Sequence, residues 1–321
     1  MPFLNSQEAD QLETKQKFSE EKLREIKKEI SSSSTFSSEE FKNLCVYTTG
    51  SFARSEATDK SDLDIFIIGE NINEQHHYGK IDEIKIFSEL IRINKKLEFP
   101  EFSNDGEFLK IFKYNEVEKI IGSPIDDHNN WFTARMLLIL ESKCIYNDEK
   151  YNEFIEKIIK FYLRDKEHSN FKLYFLLNDI LRFWRTLCLN YEVSRTNQSK
   201  KWGKKNISLK FSRRLTVFAT IIYIFVFKIN SEDDLIEMIK KTPWERLRES
   251  INKLNNSKIN NDFTLFEKEY IDFLNLKEQY NTEIDNSRLE ELGNSKTFRK
   301  LISDILLHQS IDEDLRLFLI S

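Results

Sequence analysis

Asp62 and Asp64 stand ten residues after a Gly50-Ser51 pair, in the segment Thr-Gly-Ser-Phe-Ala-Arg-Ser-Glu-Ala-Thr-Asp-Lys-Ser-Asp-Leu-Asp. Side chains of a strand alternate and the chain rises about 3.3 Å per residue, so the two carboxylates face one side, roughly 6–7 Å apart. Two carboxylates at that spacing can share a pair of Mg²⁺ ions. Gly50-Ser51 falls where a strand, Leu44 to Thr49, should turn into a short helix. Backbone N–H groups at such a turn, with the serine hydroxyl, suit a phosphate. A phosphate cradle beside a metal-binding aspartate pair is what phosphoryl or nucleotidyl transfer requires. Taken singly, Gly-Ser is an ordinary turn and Asp-x-Asp a pair of solvated acids. Their succession, as strand, turn, helix, turn and strand, is what points to chemistry. The chain has only seven glycines, which makes one directly before Ser51 more telling.

The same segment resembles the signature of the DNA polymerase β-like nucleotidyltransferase superfamily. The resemblance is to small bacterial members with Gly-Ser-x-Ala-Arg-Gly-Glu-Ala followed by Ser-Asp-Leu-Asp. Gly50, Ser51, Ala53, Arg54, Glu56, Ala57, Ser61, Asp62 and Asp64 match, and Ser55 stands where those proteins carry glycine. The close match covers about twenty residues. It implies an α+β fold: a polymerase β-like core, with a small mixed sheet and helices, followed by a mainly α-helical domain. It also implies two Mg²⁺ ions, with Mn²⁺ as an alternative, held by Asp62 and Asp64, and an NTP or dNTP as substrate. Gly50, Ser51 and Arg54 are expected at the nucleotide.

In this superfamily a third carboxylate from a neighbouring strand completes the metal site. Asp105 leads into the probable strand Glu107 to Phe112 and is the preferred candidate; Glu107, Glu98 and Glu101 are the alternatives. None is flanked by apolar residues as Asp64 is. The resemblance extends to bacterial immune nucleotidyltransferases, including those of Hailong-type anti-phage systems. That reading gives a template-independent synthase with an oligonucleotide product or primer. A protein- or tRNA-modifying enzyme of the toxin–antitoxin kind, with a protein partner encoded nearby, is a second reading. A catalytically silent nucleotide-sensing module is a third.

Two further groups bear on the nucleotide. Arg195 to Arg214 holds eight basic residues and no acid in a chain of net charge −5, so any attraction to polyanions is local. These cations are either a solvated face or a counter-charge for phosphates, with Lys205 and Arg213 as the named candidates and Trp202 as a possible base platform. Asn178, Arg182 and Arg185 share one face of an otherwise apolar helix, at i, i+4 and i+7. That stripe is either an internal ion-pair network or part of the nucleotide pocket, to which Arg182 is assigned. The five histidines show no metal-ligand spacing; His76 and His77 fall in a polar loop.

The elements that must position these groups divide near residue 125. Residues 1–125 read as the catalytic core behind an N-terminal charged amphipathic helix, Leu12 to Ile30. Residues 126–321 read as an α-helical domain completing the cleft. Helices are expected at Ile81 to Leu97, Trp131 to Ile145, Glu149 to Arg164, Phe171 to Val193 and Asn206 to Ile229. Leu215 to Phe227 is the most apolar stretch; at 13 residues it is a buried core helix, not a membrane span, which needs about 20. The start of the chain is too polar for a signal peptide. Three scattered cysteines argue against a disulfide framework or structural zinc and fit a reducing cytoplasm.

Overall fold

A computed structural model describes residues 6–70, 78–102, 106, 109–168, 171–197, 202–279 and 295–320. The chain forms two compact units: Lys15–Phe161, and Tyr162–Ser321 together with Met1–Thr14. Each is described by itself.

The first unit is built on a four-stranded mixed sheet in the order β3-β2-β1-β4. Strand β1 (Leu44–Thr48) leads into α2 (Gly50–Ala53) and then β2 (Ile65–Gly69). β1 and β2 pair antiparallel, from Leu44↔Gly69 to Thr48↔Ile65. β3 (Ile111–Lys113) joins β2 in parallel, and β4 (Lys143–Tyr146) joins β1 antiparallel, with a register shift between Val46 and Tyr47. Both central strands are buried along their whole length, as continuous apolar runs require.

Helix α1 (Ser6–Ser31) covers this sheet with Leu23, Ile26 and Ile30, and α3 (Lys80–Lys96) covers it with Ile86, Leu90 and Ile93. The spacing of Ile81, Ile84, Phe87, Leu90 and Ile91 predicts α3 itself. However, Ile81, Ile84 and Ile91 lie exposed, because α3 carries isoleucines on both faces. Helices α4 (Tyr114–Ile120), α5 (Pro124–His128) and α6 (Trp131–Leu140) follow β3, and α7 (Asp148–Tyr162) follows β4. Strand β4 lies beyond the division near residue 125, within the span expected to be all helix. α6 ends at Leu140, and the short run Cys144-Ile145 extends the sheet instead.

The helical unit contains α8 (Tyr174–Thr196), α9 (Trp202–Ser208), a π-helical turn at Leu209–Arg213, and α10 (Arg214–Phe227). After them come α11 (Glu232–Lys240), α12 (Pro243–Leu254), α13 (Ser257–Gln279), α14 (Lys296–Leu306) and α15 (Glu313–Ile320). α10 is buried on nearly every side, as its unbroken apolar sequence predicts, and packs mainly on α12. α12 starts with a capping box: Thr242 Oγ1 accepts the Glu245 N–H, and the Glu245 carboxylate accepts the Thr242 N–H. Among the described residues no helix is long and apolar enough to cross a membrane.

Candidate active site

The Gly-Ser turn occupies the gap between the two central strands. After Thr48 the chain leaves β1 and Gly50 takes a left-handed backbone, φ +69°, which glycine adopts without steric cost. A second constraint acts at the same position. A Cβ on Gly50 would lie 2.6 Å from Asp64 Oδ2, so the aspartate carboxylate rests directly against the glycine backbone. Asp64 is fixed there by its own main chain. Its carbonyl accepts the Thr49 N–H at 3.0 Å and the Thr48 hydroxyl at 2.9 Å, which carries the β1–β2 ladder one residue past Ile65. Leu63 is buried, while Asp62 and Asp64 on either side are each half-buried. That alternation is what turns two acids in x-Asp-Leu-Asp away from the core together.

A brace of buried charges holds the far end of the turn. Arg54 is 5 % exposed; its Nε pairs with Glu56 at 2.9 Å and its Nη1 with Glu141 at 2.8 Å. Its guanidinium lies in the interior of the fold against the Glu56 and Glu141 carboxylates, whereas the sequence reading placed Arg54 at the nucleotide. Glu141 is a residue the sequence reading missed. It directly follows α6, whose residues are apolar apart from Thr133 and the buried Arg135, and nothing local points to Arg54 as its partner. Ser55, where the similar proteins carry glycine, has φ +61°, so the position calls for glycine's left-handed freedom. Its Oγ accepts a bond from Lys143 Nζ at 2.7 Å. α1 is tied in as well, with the Ala57 N–H donating to the buried Ser19 Oγ at 2.9 Å. Ser51 is nearly buried, and its carbonyl accepts the Glu56 N–H at 2.8 Å.

Asp64 lines a cavity of about 30 Å³ with Leu63, Ile65, Phe66, Phe102, Gly106 and Leu109. Asp105 and Glu107 lie outside the described residues, as do His76, His77, Lys200 and Lys201. Gly106, between the two acids in sequence, lines the same cavity as Asp64. Glu101 is exposed, and Glu98 follows α3 with φ +58°. Among the described residues no group of three or more metal-ligating side chains is present. The donor set that is described, two carboxylates with one seated in a glycine cradle, fits a hard divalent cation that takes oxygen ligands.

The remaining candidates belong to the helical unit. Arg182 on α8 pairs with the buried Asp179 at 3.5 Å, and Asp179 also accepts the Tyr162 hydroxyl at 2.7 Å. Asn178 and Arg185 are exposed. Lys205 on α9 donates to Ser194 Oγ at 2.9 Å, and Arg213 closes the π-turn. Burial pushes the Cys144 thiol up to about 12 and the Cys45 thiol well above its usual range, and all three cysteines are free.

A mixed sheet whose antiparallel central pair has a glycine turn leaving one strand and an acid pair entering the next defines an α+β domain. Residues 23–169 match the family model of the nucleotidyltransferase domain; they hold the mixed sheet, and a helical region follows them. No curated protein and no solved structure gave a match.

Proposed function

We propose that this protein is a Mg²⁺-dependent, template-independent nucleotidyltransferase that moves NMP or dNMP from a (d)NTP onto a hydroxyl and releases pyrophosphate. The observation that carries this reading is the contact between Gly50 and Asp64. A glycine forced by both φ and a carboxylate 2.6 Å from its missing Cβ makes structural sense where phosphate and metal must meet in a small space. Asp62 and Asp64 would hold the ions, with Asp105 as the preferred third ligand; Gly106 beside Asp64 supports that choice over Glu98 and Glu101. What the ions supply when bound is charge stabilisation at the phosphoryl group and at the acceptor hydroxyl as it loses its proton.

The chain's own part is positioning. Backbone and hydroxyl of the Gly50-Ser51 turn orient the phosphates, and the Arg54–Glu56–Glu141 brace keeps the turn from shifting as charge builds up. Arg182, Lys205 and Arg213 are proposed to add positive charge to the nucleotide. Resemblance to the immune nucleotidyltransferases, together with the long helical region and its basic stretch, favours synthesis of a nucleotide or oligonucleotide signal in anti-phage defence.

Purified protein incubated with each NTP and dNTP plus Mg²⁺ tests the proposal. Pyrophosphate release with soluble oligomers is expected, and Asp62→Ala with Asp64→Ala should abolish it without loss of fold. Label on a protein or tRNA instead would select the modifying enzyme, and nucleotide binding without pyrophosphate release the sensing module. Comparable turnover in the double variant would remove this site from consideration.

A further inference from the structure

Within the helical unit, three basic side chains come near one another from a π-turn, the helix that follows it and a third helix. Lys210 lies in the π-turn Leu209–Arg213 and Arg214 opens α10 four residues later, so the two point to neighbouring positions on one side of the helix. Arg299 comes from the first turn of α14. Arg214 ties the elements together: its Nη1 donates at 2.6 Å to Oγ of Ser295, the residue that precedes α14, and α10 packs on α14. The Arg214 guanidinium also lies over the Trp184 ring, 5.6 Å from its centroid, and Phe218 meets that ring edge-on. Arg214 is thus held in one pose, with Lys210 and Arg299 within electrostatic reach.

The three charges act on one another. Burial, then the repulsion of Arg214 and Arg299, holds the Lys210 ammonium below its usual range. Burial, then Arg299, brings Arg214 down to about 10. Glu269 on α13 is near Arg214, and burial pushes its carboxyl up to about 7. A ligand whose oxygens accept several charge-assisted hydrogen bonds suits basic side chains gathered in this way, and the planar fork of arginine suits phosphate best. The π-turn matters here because inserting one residue per turn re-aims the side chains that follow it. From Lys205 to Arg214 the basic residues run along about 13 Å of helix, a length over which a strand presents several phosphates.

We propose that Lys210, Arg214 and Arg299 form a phosphate site for the sugar–phosphate backbone of a single-stranded nucleic acid, which serves as acceptor in the transfer proposed above. The acceptor role rests on that reading; the phosphate site itself does not. All of its residues belong to the helical unit.

The test measures binding of a labelled single-stranded RNA 12-mer and, separately, of ATP to the full chain without Mg²⁺, over a range of salt. It compares wild type with Lys210→Gln/Arg299→Gln; Arg214 is spared because it anchors α14, and the melting temperature checks the fold. Single strands lose affinity with a log–log salt slope of about −0.7 per phosphate contacted, so removing two cations should flatten the slope by about 1.4. Affinity for the strand near physiological salt should fall at least about tenfold, while ATP binding changes little. An unchanged slope and affinity overturns the site, as does a wild type that does not bind the strand or a variant weakened only towards ATP. Pyrophosphate release by the wild type is recorded in parallel. Turnover without any dependence of strand binding on these residues overturns the phosphate site and leaves the catalytic reading standing. Strand binding through them without turnover keeps the phosphate site and removes its acceptor role.

Discussion

Replacing Gly50 by alanine tests the catalytic geometry directly. The new methyl group would lie 2.6 Å from Asp64 Oδ2, whereas ordinary contact begins at 3.4 Å, so the carboxylate must retreat by about 0.8 Å. It cannot do so by moving its main chain, because the Asp64 carbonyl is bound by both Thr48 and Thr49. The side chain must rotate instead, taking the oxygen proposed as a metal ligand out of place. Misplacement of a reacting group by about 1 Å costs on the order of a hundredfold in rate, equal to about 2.7 kcal/mol of transition-state stabilisation. The stability cost is smaller. A left-handed alanine costs roughly 1–2 kcal/mol, of which the stiffer unfolded chain returns about half a kcal/mol. Gly50→Ala should therefore melt a few degrees below wild type while losing about two orders of magnitude in pyrophosphate release at saturating NTP and Mg²⁺. A variant with turnover within threefold of wild type would refute the idea that Asp64 acts from the position pressed against Gly50.

Three other substitutions separate framework from chemistry. Glu141→Ala leaves Arg54 buried without the Glu141 carboxylate, and breaking a buried ion pair costs about 3–5 kcal/mol, so the loss should appear as a large drop in unfolding temperature or as insoluble protein. By contrast, Arg195→Ala, which breaks an exposed pair with Glu192, should stay within about 0.5 kcal/mol in chemical denaturation. Ser55→Gly relieves the φ +61° strain but gives up the Lys143 hydrogen bond and loosens the unfolded chain, so its denaturation midpoint should shift by less than about 1 kcal/mol, with activity retained. Glu269 gives a pH signature. Its folded value of about 7 exceeds the ordinary 4.5, so between those pH values the folded state keeps a proton that the unfolded state releases. Stability contributed by that proton is complete below about 4.5 and is lost as pH rises to about 7; Glu269→Gln should flatten the fall in unfolding free energy across that window.

The central motif was legible because it is local and its residues are rare in this chain. Leu44 to Thr49 as strand, Gly50-Ser51 as turn and a strand carrying Asp62 and Asp64 all follow from short-range pattern; the structure ends β1 at Thr48 and starts β2 at Ile65, just after the acids. What the sequence does not display is who meets whom over long range. Glu141 reaches Arg54 across 87 positions, and no local pattern singles it out from other acids. β4 was hidden for another reason: a four-residue strand after an apolar helix has the composition of that helix's last turn. On α3 the helical spacing was clear, but two apolar stripes competed for the core, and Ile86, Leu90 and Ile93 rather than Ile81, Ile84 and Ile91 are the ones buried.

The ten-residue gap between Gly50-Ser51 and the acid pair follows from the sheet. Antiparallel pairing of Leu44↔Gly69 through Thr48↔Ile65 fixes a register, and the Thr49–Asp64 bond extends it by one step. Continued, that register sets the turn opposite the acids, so the chain leaving β1 at Gly50 is the chain that Asp64 must face. α2 and the loop through Asp59 and Lys60 take up the intervening residues without touching the pairing. A one-residue slip would turn Asp64 into the core and Leu63 towards the glycine, because side chains alternate with period two. Because both strands are buried on both faces, burial alone does not set the register; the Thr49 N–H and Thr48 hydroxyl bonds to the Asp64 carbonyl hold it at this end. Those bonds therefore select which carboxylate meets the glycine turn, and the Arg54 brace, set within the same turn, holds its far end.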